Sequence, residues 1–162
     1  ITASSRQYQV PESWIRAVIQ TESSFNPDAY RAEPQIHDAS YGLMQLLGRT
    51  AKDLGFTGDV RELYNPAINI PLGTKLLADL RGRYGEDFRR IYSTYNSGKP
   101  DLWKTSSQVA ANVARAVSNL ETFLVESVTE LTATAKSATV DQAALVGLLV
   151  LTLMWAWGGK RR

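Results

Sequence analysis

The chain has 162 residues, 44% apolar and 21% charged, enough for one domain with a real core and some chain beyond it. Its net charge is only +2, with Lys160, Arg161 and Arg162 at the extreme end, so no basic face argues for nucleic acid as a partner. With no cysteine and a single histidine, His37, neither a disulfide framework nor a thiolate or His-rich metal site can be built, and no cofactor is expected.

The chain opens on Ile1 rather than Met, which is read as cleavage of a longer precursor or omission of the first residue. Pro11 begins an amphipathic segment in which Ile15, Val18, Ile19 and Glu22 fall at i, i+3, i+4 and i+7. Asn26-Pro27 stops that helix, and the polar stretch through Ser40 reads as a loop containing His37. Leu43, Leu46, Leu47 and Leu54 predict a second helix ending at Gly55. Asn65-Pro66 reads as an N-cap followed by the first helical residue. Leu72, Leu76, Leu77 and Leu80 carry that helix to Tyr84-Gly85, with Pro71 expected to kink its first turns. Phe88, Ile91, Tyr92 and Tyr95 form the next stripe, closed by Gly98, and a last helix starts near Thr105 and continues through Val113, Val117, Leu120 and Leu124.

No run alternates with period two, so the expected fold is all-α (mainly α), with one helical domain over 1–120. Residues 121–142, rich in Ser, Thr and Ala, read as a spacer or weak helix. The spacing of Val117, Leu120, Leu124 and Leu131 hints at a coiled-coil seam for a protein assembly. Residues 143–162 form an apolar tail with a basic end. The part from Ala143 to Gly159 carries no charge, and Trp155 and Trp157 sit beside the basic residues. That is the pattern of an apolar helix contacting a membrane, although it is short for a span and also fits a buried or partner-packed helix.

Read by periodicity alone, Glu22 is either a solvent-facing residue at a helix end or a partly desolvated acid. Desolvation raises a carboxyl pKa, and a Glu protonated near neutral pH is what glycosidic bond cleavage needs. Four motifs surround it. Glu22-Ser23-Ser24-Phe25-Asn26-Pro27 resembles the glutamate motif of the soluble lytic transglycosylases. Gly42-Leu43-Met44-Gln45-Leu46 is similar to their second motif, shared with goose-type lysozyme. Asn65-Pro66 with Asn69-Ile70 and Gly73 resembles the third, and Tyr95-Asn96-Ser97-Gly98 the fourth. They occur in the family's order and spacing, from Val10 to Gly98.

The resemblance implies a lysozyme-like helical fold and a peptidoglycan lytic transglycosylase in which Glu22 is the one acid/base. Ser23 would sit beside the acid and contact substrate, and Met44 and Gln45 would line the cleft floor. Tyr95 would steady Glu22 or the sugar ring, and Asn96 would orient the acetamido group or local backbone. Each has a plainer reading: Met44 as core, Gly42 and Gly98 as tight backbone, Asn65-Pro66 as a helix start. The family pattern supplies one carboxylate where hydrolysis usually needs two, and an internal muramic acid hydroxyl would replace water as nucleophile.

Asp38 keeps a muramidase alternative open, since goose-type lysozymes carry an acidic residue there that could direct water. It reads equally as a turn-former, and Glu33 has a weaker claim still. Ser40 and Tyr41 border the second motif. One departure stands out: where the family's last helix commonly offers a Tyr-Val pair to the site, the best match here is Asn112-Val113. The implied setting is the cell envelope, membrane-anchored in the periplasm, or a phage virion acting at it, where the chain would open the wall locally. An inactive wall-binding component of an assembly is the rival of another class.

Overall fold

The computed structural model describes residues 1–137; the apolar segment 143–159 and its basic end lie outside the described residues. Six helices and a small sheet follow one another. They are α1 (Thr2–Tyr8), α2 (Glu12–Ser23), β1 (Tyr30–Glu33), β2 (Asp38–Tyr41), β3 (Leu46–Leu47), α3 (Gly48–Asp53), α4 (Pro66–Tyr84), α5 (Phe88–Ser97) and α6 (Ser107–Ser137). Among them no helix is long and apolar enough to cross a membrane. Residues Ile1–Leu120 form one compact unit, and α6 from Glu121 onward belongs to a second.

Helix α2 runs through the core. Ile15, Ala17, Val18 and Ile19 are buried on its inner face, while Arg16 and Gln20 between and after them are only partly covered. It ends one residue after Glu22, where Ser24 and Phe25 both take left-handed backbone (φ 53 and 62) and turn the chain sharply away. Helix α4 begins as its sequence demands: the Asn65 side chain accepts from the Ala67 N–H (2.9 Å), and Pro66 occupies the first helical position. It stays helical from Pro66 to Tyr84, Pro71 included. Helix α5 carries Phe88, Ile91 and Tyr92 into the core and stops at Gly98, which is left-handed (φ 73).

Two segments differ from the sequence-based expectation. The loop through Ser40 contains an antiparallel hairpin, β1 against β2 with Tyr30 opposite Tyr41, and β3 adds a third strand beyond β2. The predicted helix over Leu43–Gly55 is only the six residues of α3. Residues 42–45 form a tight turn in which Gly42 (φ 69) and Gln45 (φ 45) are left-handed, a backbone no α-helix contains. Leu43 and Leu46 are buried all the same, from a turn and a strand. Helix α1, which has no apolar stripe, was not legible beforehand.

In the second unit, α6 continues through the Ser/Thr-rich stretch as regular helix. The hydroxyls of Ser127, Thr129, Thr132 and Thr134 bond back to carbonyls one turn earlier, satisfying themselves without breaking the helix.

Candidate active site

Glu22 projects from the last turn of α2 and is partly buried. Tyr92, from the buried face of α5, donates its phenolic hydrogen to Glu22 Oε1 at 2.6 Å, and Asn96, one turn further along α5, lies near the same carboxyl and favours its charged form. Burial pushes the Glu22 carboxyl above the usual carboxylate range. Tyr92, the positive charges of Arg31 and Arg115, and Asn96 oppose that without cancelling it. Tyr92 is itself held neutral, because burial and the adjacent Glu22 both penalise a phenolate. Its ring stacks between Phe88 (centroids 6.2 Å apart) and Tyr95 (6.3 Å), which fixes the hydroxyl's direction. The sequence hid this partner: Tyr92 reads as one more core residue of an apolar stripe.

The second motif packs against this helix pair as a turn held from three sides. Ser23 Oγ contacts the Leu43 carbonyl (2.8 Å) and that of Ile19 (3.1 Å), so the residue beside the acid ties α2 to the turn. Asn69, fully buried on α4, accepts from the Met44 N–H (2.8 Å) and donates to the carbonyls of Tyr41 (2.9 Å) and Leu63 (2.8 Å). Tyr95 donates to the Met44 carbonyl at 2.7 Å, so its hydroxyl braces the turn instead of the acid.

Met44 departs from the cleft-floor expectation. Its side chain is wholly buried, with its sulfur against Gly73 of α4, where any Cβ would come within 2.4 Å of it. Gly73 is there because the thioether needs its space. Gln45 is half-buried, and its amide donates to the carbonyls of Ala29 and Gly42 (3.0 Å each), so only its carbonyl oxygen is left to offer a sugar. Gly42 meets a stricter demand: besides its positive φ, a Cβ would lie 2.4 Å from the Leu63 carbonyl and 2.7 Å from Asn69 Nδ2.

Asp38 is bound up in structure. One oxygen accepts from the N–H groups of Ala39 (2.8 Å) and Gly48 (3.2 Å), the other from the Arg49 N–H (3.0 Å) and guanidinium (3.2 Å). It thereby closes the N-terminus of α3 from a neighbouring strand. Partial burial raises the Asp38 carboxyl, but the four donors outweigh it and hold the group below its ordinary value. A carboxylate with its acceptor sites filled is poorly placed to direct water. Glu33 pairs with Arg31, His37 is an exposed left-handed loop residue (φ 51), Ser40 is buried, and Tyr41 stands between Tyr30 and Tyr64 in an edge-to-face series.

Helix α6 supplies the remaining polar groups. Asn112 Nδ2 donates to Asn96 Oδ1 (3.2 Å), and Asn119 Nδ2 donates to Thr21 Oγ1 (2.9 Å), one residue before the acid. An open depression of about 480 Å³ between Tyr8, Phe56, Glu62 and Lys75 includes neither Glu22 nor any residue bonded to it.

The family described as "Transglycosylase SLT domain" matches residues 1–117. Two curated proteins named membrane-bound lytic murein transglycosylase C, from Shigella sonnei and Salmonella typhimurium, are each 34% identical over 134 residues, covering 74% of this chain and 36% of theirs. The chain thus spans about a third of the length of these relatives. Among solved structures, an inactive mutant of the lytic transglycosylase Slt from Pseudomonas aeruginosa superposes with a TM-score of 0.64 at 21% identity, over 74% of this chain and 22% of that one. The 70 kDa soluble lytic transglycosylase of Escherichia coli does so with 0.51 at 22%, over 73% and 19%. These likenesses establish the lysozyme-like helical fold, and with the family match over residues 1–117 they make the chain a member of the SLT transglycosylase domain family.

Proposed function

We propose that the chain is a peptidoglycan lytic transglycosylase that cleaves the MurNAc–GlcNAc β-1,4 bond and leaves 1,6-anhydro-MurNAc ends. One observation carries this reading. The carboxyl of the first motif, Glu22, is pushed toward its protonated form by burial while Tyr92 and Asn96 favour its conjugate base. Such an acid can release a proton without being stranded as an unsupported buried charge.

In the proposed reaction the Glu22 carboxyl protonates the glycosidic oxygen and the bond to muramyl C1 breaks, releasing the GlcNAc side as an alcohol. The muramyl C6 hydroxyl then attacks C1 and forms the anhydro ring, and the Glu22 carboxylate takes the proton that hydroxyl sheds. The proton balance closes on Glu22, and no water is consumed. Tyr92 and Asn96 steady the carboxylate between the two transfers. Ser23, Gln45 and Asn96 are the polar groups placed to meet the glycan, with Met44 and Tyr95 shaping the turn beneath them. The engagement of Asp38 with α3 speaks against its acting as the second carboxylate of a muramidase.

The catalytic domain comprises residues 1–120, and the remainder serves to tether it. Relatives named membrane-bound lytic murein transglycosylases favour a place in the cell envelope, and the apolar segment 143–159 fits membrane or partner contact there. Local opening of the wall, by an envelope machine or a phage entry apparatus, is the corresponding role. Mass spectrometry of muropeptides released from purified sacculi tests the reaction. Anhydro-muramyl products lost in Glu22→Gln are expected; reducing-end products would replace the reading with a hydrolase.

A further inference from the structure

A line of polar side chains leads from the surface of α6 to the acid. Arg115 Nη2 donates to Asn112 Oδ1 (2.9 Å), Asn112 Nδ2 donates to Asn96 Oδ1 (3.2 Å), and Asn96 stands on α5 one turn after Tyr92, beside the Glu22 carboxyl whose charged form it favours. The line has a direction that chemistry fixes at one end. A guanidinium can only donate, so the Asn112 oxygen must face Arg115 and its NH₂ must face Asn96. The Asn96 oxygen is then engaged, and its NH₂ is the group left for the Glu22 carboxyl. Gln108 Nε2 offers the Asn112 oxygen only a longer contact (3.4 Å), so without Arg115 the orientation of the two amides is held less firmly.

The helix that carries this line is well held. Val113 and Ala116 are buried beneath it, and Asn119 pins it to Thr21 beside the acid. The other titratable or charged groups around Glu22 are Tyr92 and Tyr95 of α5 and Arg31 of β1. Arg31 shares its charge with Glu33, whereas among the described residues Arg115 forms no direct ion pair. Arg115 is therefore the less compensated of the two cations that act on the acid.

We propose that Arg115, acting through Asn112 and Asn96, is a positioning residue for Glu22. It locks the two amides in the orientation that presents a donor to the carboxylate, and it adds a positive charge that supports that carboxylate during turnover. The proposal rests on Glu22 being the acid of the reaction above, and its test keeps the two apart.

The experiment measures muropeptide release from purified sacculi across pH for the full chain and its Arg115→Met, Arg115→Lys, Asn112→Leu and Glu22→Gln variants. Folding is checked by thermal melting, and the Glu22 carboxyl is titrated in parallel by ¹³C NMR. Arg115→Met is expected to lower the maximal rate about three- to ten-fold. It should also move the alkaline limb and the NMR titration to higher pH, because losing a cation favours the protonated acid. Arg115→Lys should return the limb toward wild type with part of the rate, since it keeps the charge without the planar fork. Asn112→Leu should lower the rate with a smaller displacement of the limb.

An Arg115→Met profile that overlays wild type overturns the proposal. So do equal losses in the Met and Lys variants with an unmoved limb, which mark Arg115 as merely structural. Full activity in Glu22→Gln would instead refute the assignment of the acid. The NMR titration would then decide on its own, and an unmoved Glu22 in Arg115→Met would sink the positioning role too.

Discussion

Tyr92 and Glu22 are seventy positions apart in the chain and 2.6 Å apart in the fold, joined by a hydrogen bond from a neutral phenol to a carboxyl that burial disfavours as an anion. Each group constrains the other. The phenol supports the carboxylate, and the carboxyl makes a phenolate still less favourable.

Removing that donor alone is informative. Tyr92→Phe keeps the stacked ring, so stability should change by no more than about 1 kcal/mol. Turnover on sacculi should fall by about ten-fold or more, the size of effect expected for a lost donor to a charge that forms during reaction. Because the Tyr92 bond lowers the Glu22 pKa, its loss should also move the alkaline limb of the rate profile to higher pH. An unchanged profile would mean that the contact has no part in the chemistry.

The burial of Glu22 has a stability signature with a definite sign. Its folded pKa is raised, so the group favours the folded state most at pH below its unfolded value, and that contribution is lost as pH rises through the folded value. Glu22→Gln should therefore be more stable than wild type at neutral and alkaline pH, by roughly 0.5–2 kcal/mol. The advantage should shrink toward acid pH. Denaturant melts at several pH values would measure it, and a pH-independent difference would contradict a raised Glu22 pKa in the folded state.

Asp38 carries the opposite sign. Its pKa is depressed in the folded state, so its contribution is present above the unfolded carboxyl value and lost as pH falls through the folded one. Asp38→Asn should cost about 1–2 kcal/mol near neutral pH through the weakened α3 terminus, and less in acid. Its products from sacculi should still be anhydro-muramyl. A switch of product chemistry would restore Asp38 as a participant.

Gly42 and Asn69 form a single contact, so their substitutions should not add. Gly42→Ala brings a Cβ to 2.4 Å from the Leu63 carbonyl at a positive φ and should cost roughly 2–4 kcal/mol. Asn69→Ala, which strands the Met44 N–H and two carbonyls, should cost a similar amount. Thermal melts of both single variants and the double variant should give a sum well short of additive.

The elements set by local pattern were legible in advance. The apolar face of α2, the Asn65-Pro66 start of α4 and the Gly98 stop of α5 each follow from periodicity or capping within a few neighbouring residues. So did the motif order that marked Glu22, because each motif is a short contiguous run. The turn at 42–45 was not legible, since leucines at helical spacing serve equally well in a turn and a strand once Asn69 satisfies the backbone from outside. Tyr92 and Arg115 were likewise invisible as neighbours of the acid, whereas Asn112 stood out only as the place where the family's site tyrosine is replaced. What separates a core tyrosine from one that holds a carboxyl is where another helix ends, and only the packing of α2, α5 and α6 decides that. The sequence by itself therefore determined α2, α4 and α5 with their ends, and singled out Glu22 by its motif. The tertiary structure decided the environment of that acid, because desolvation and hydrogen-bond direction depend on groups brought together from distant parts of the chain.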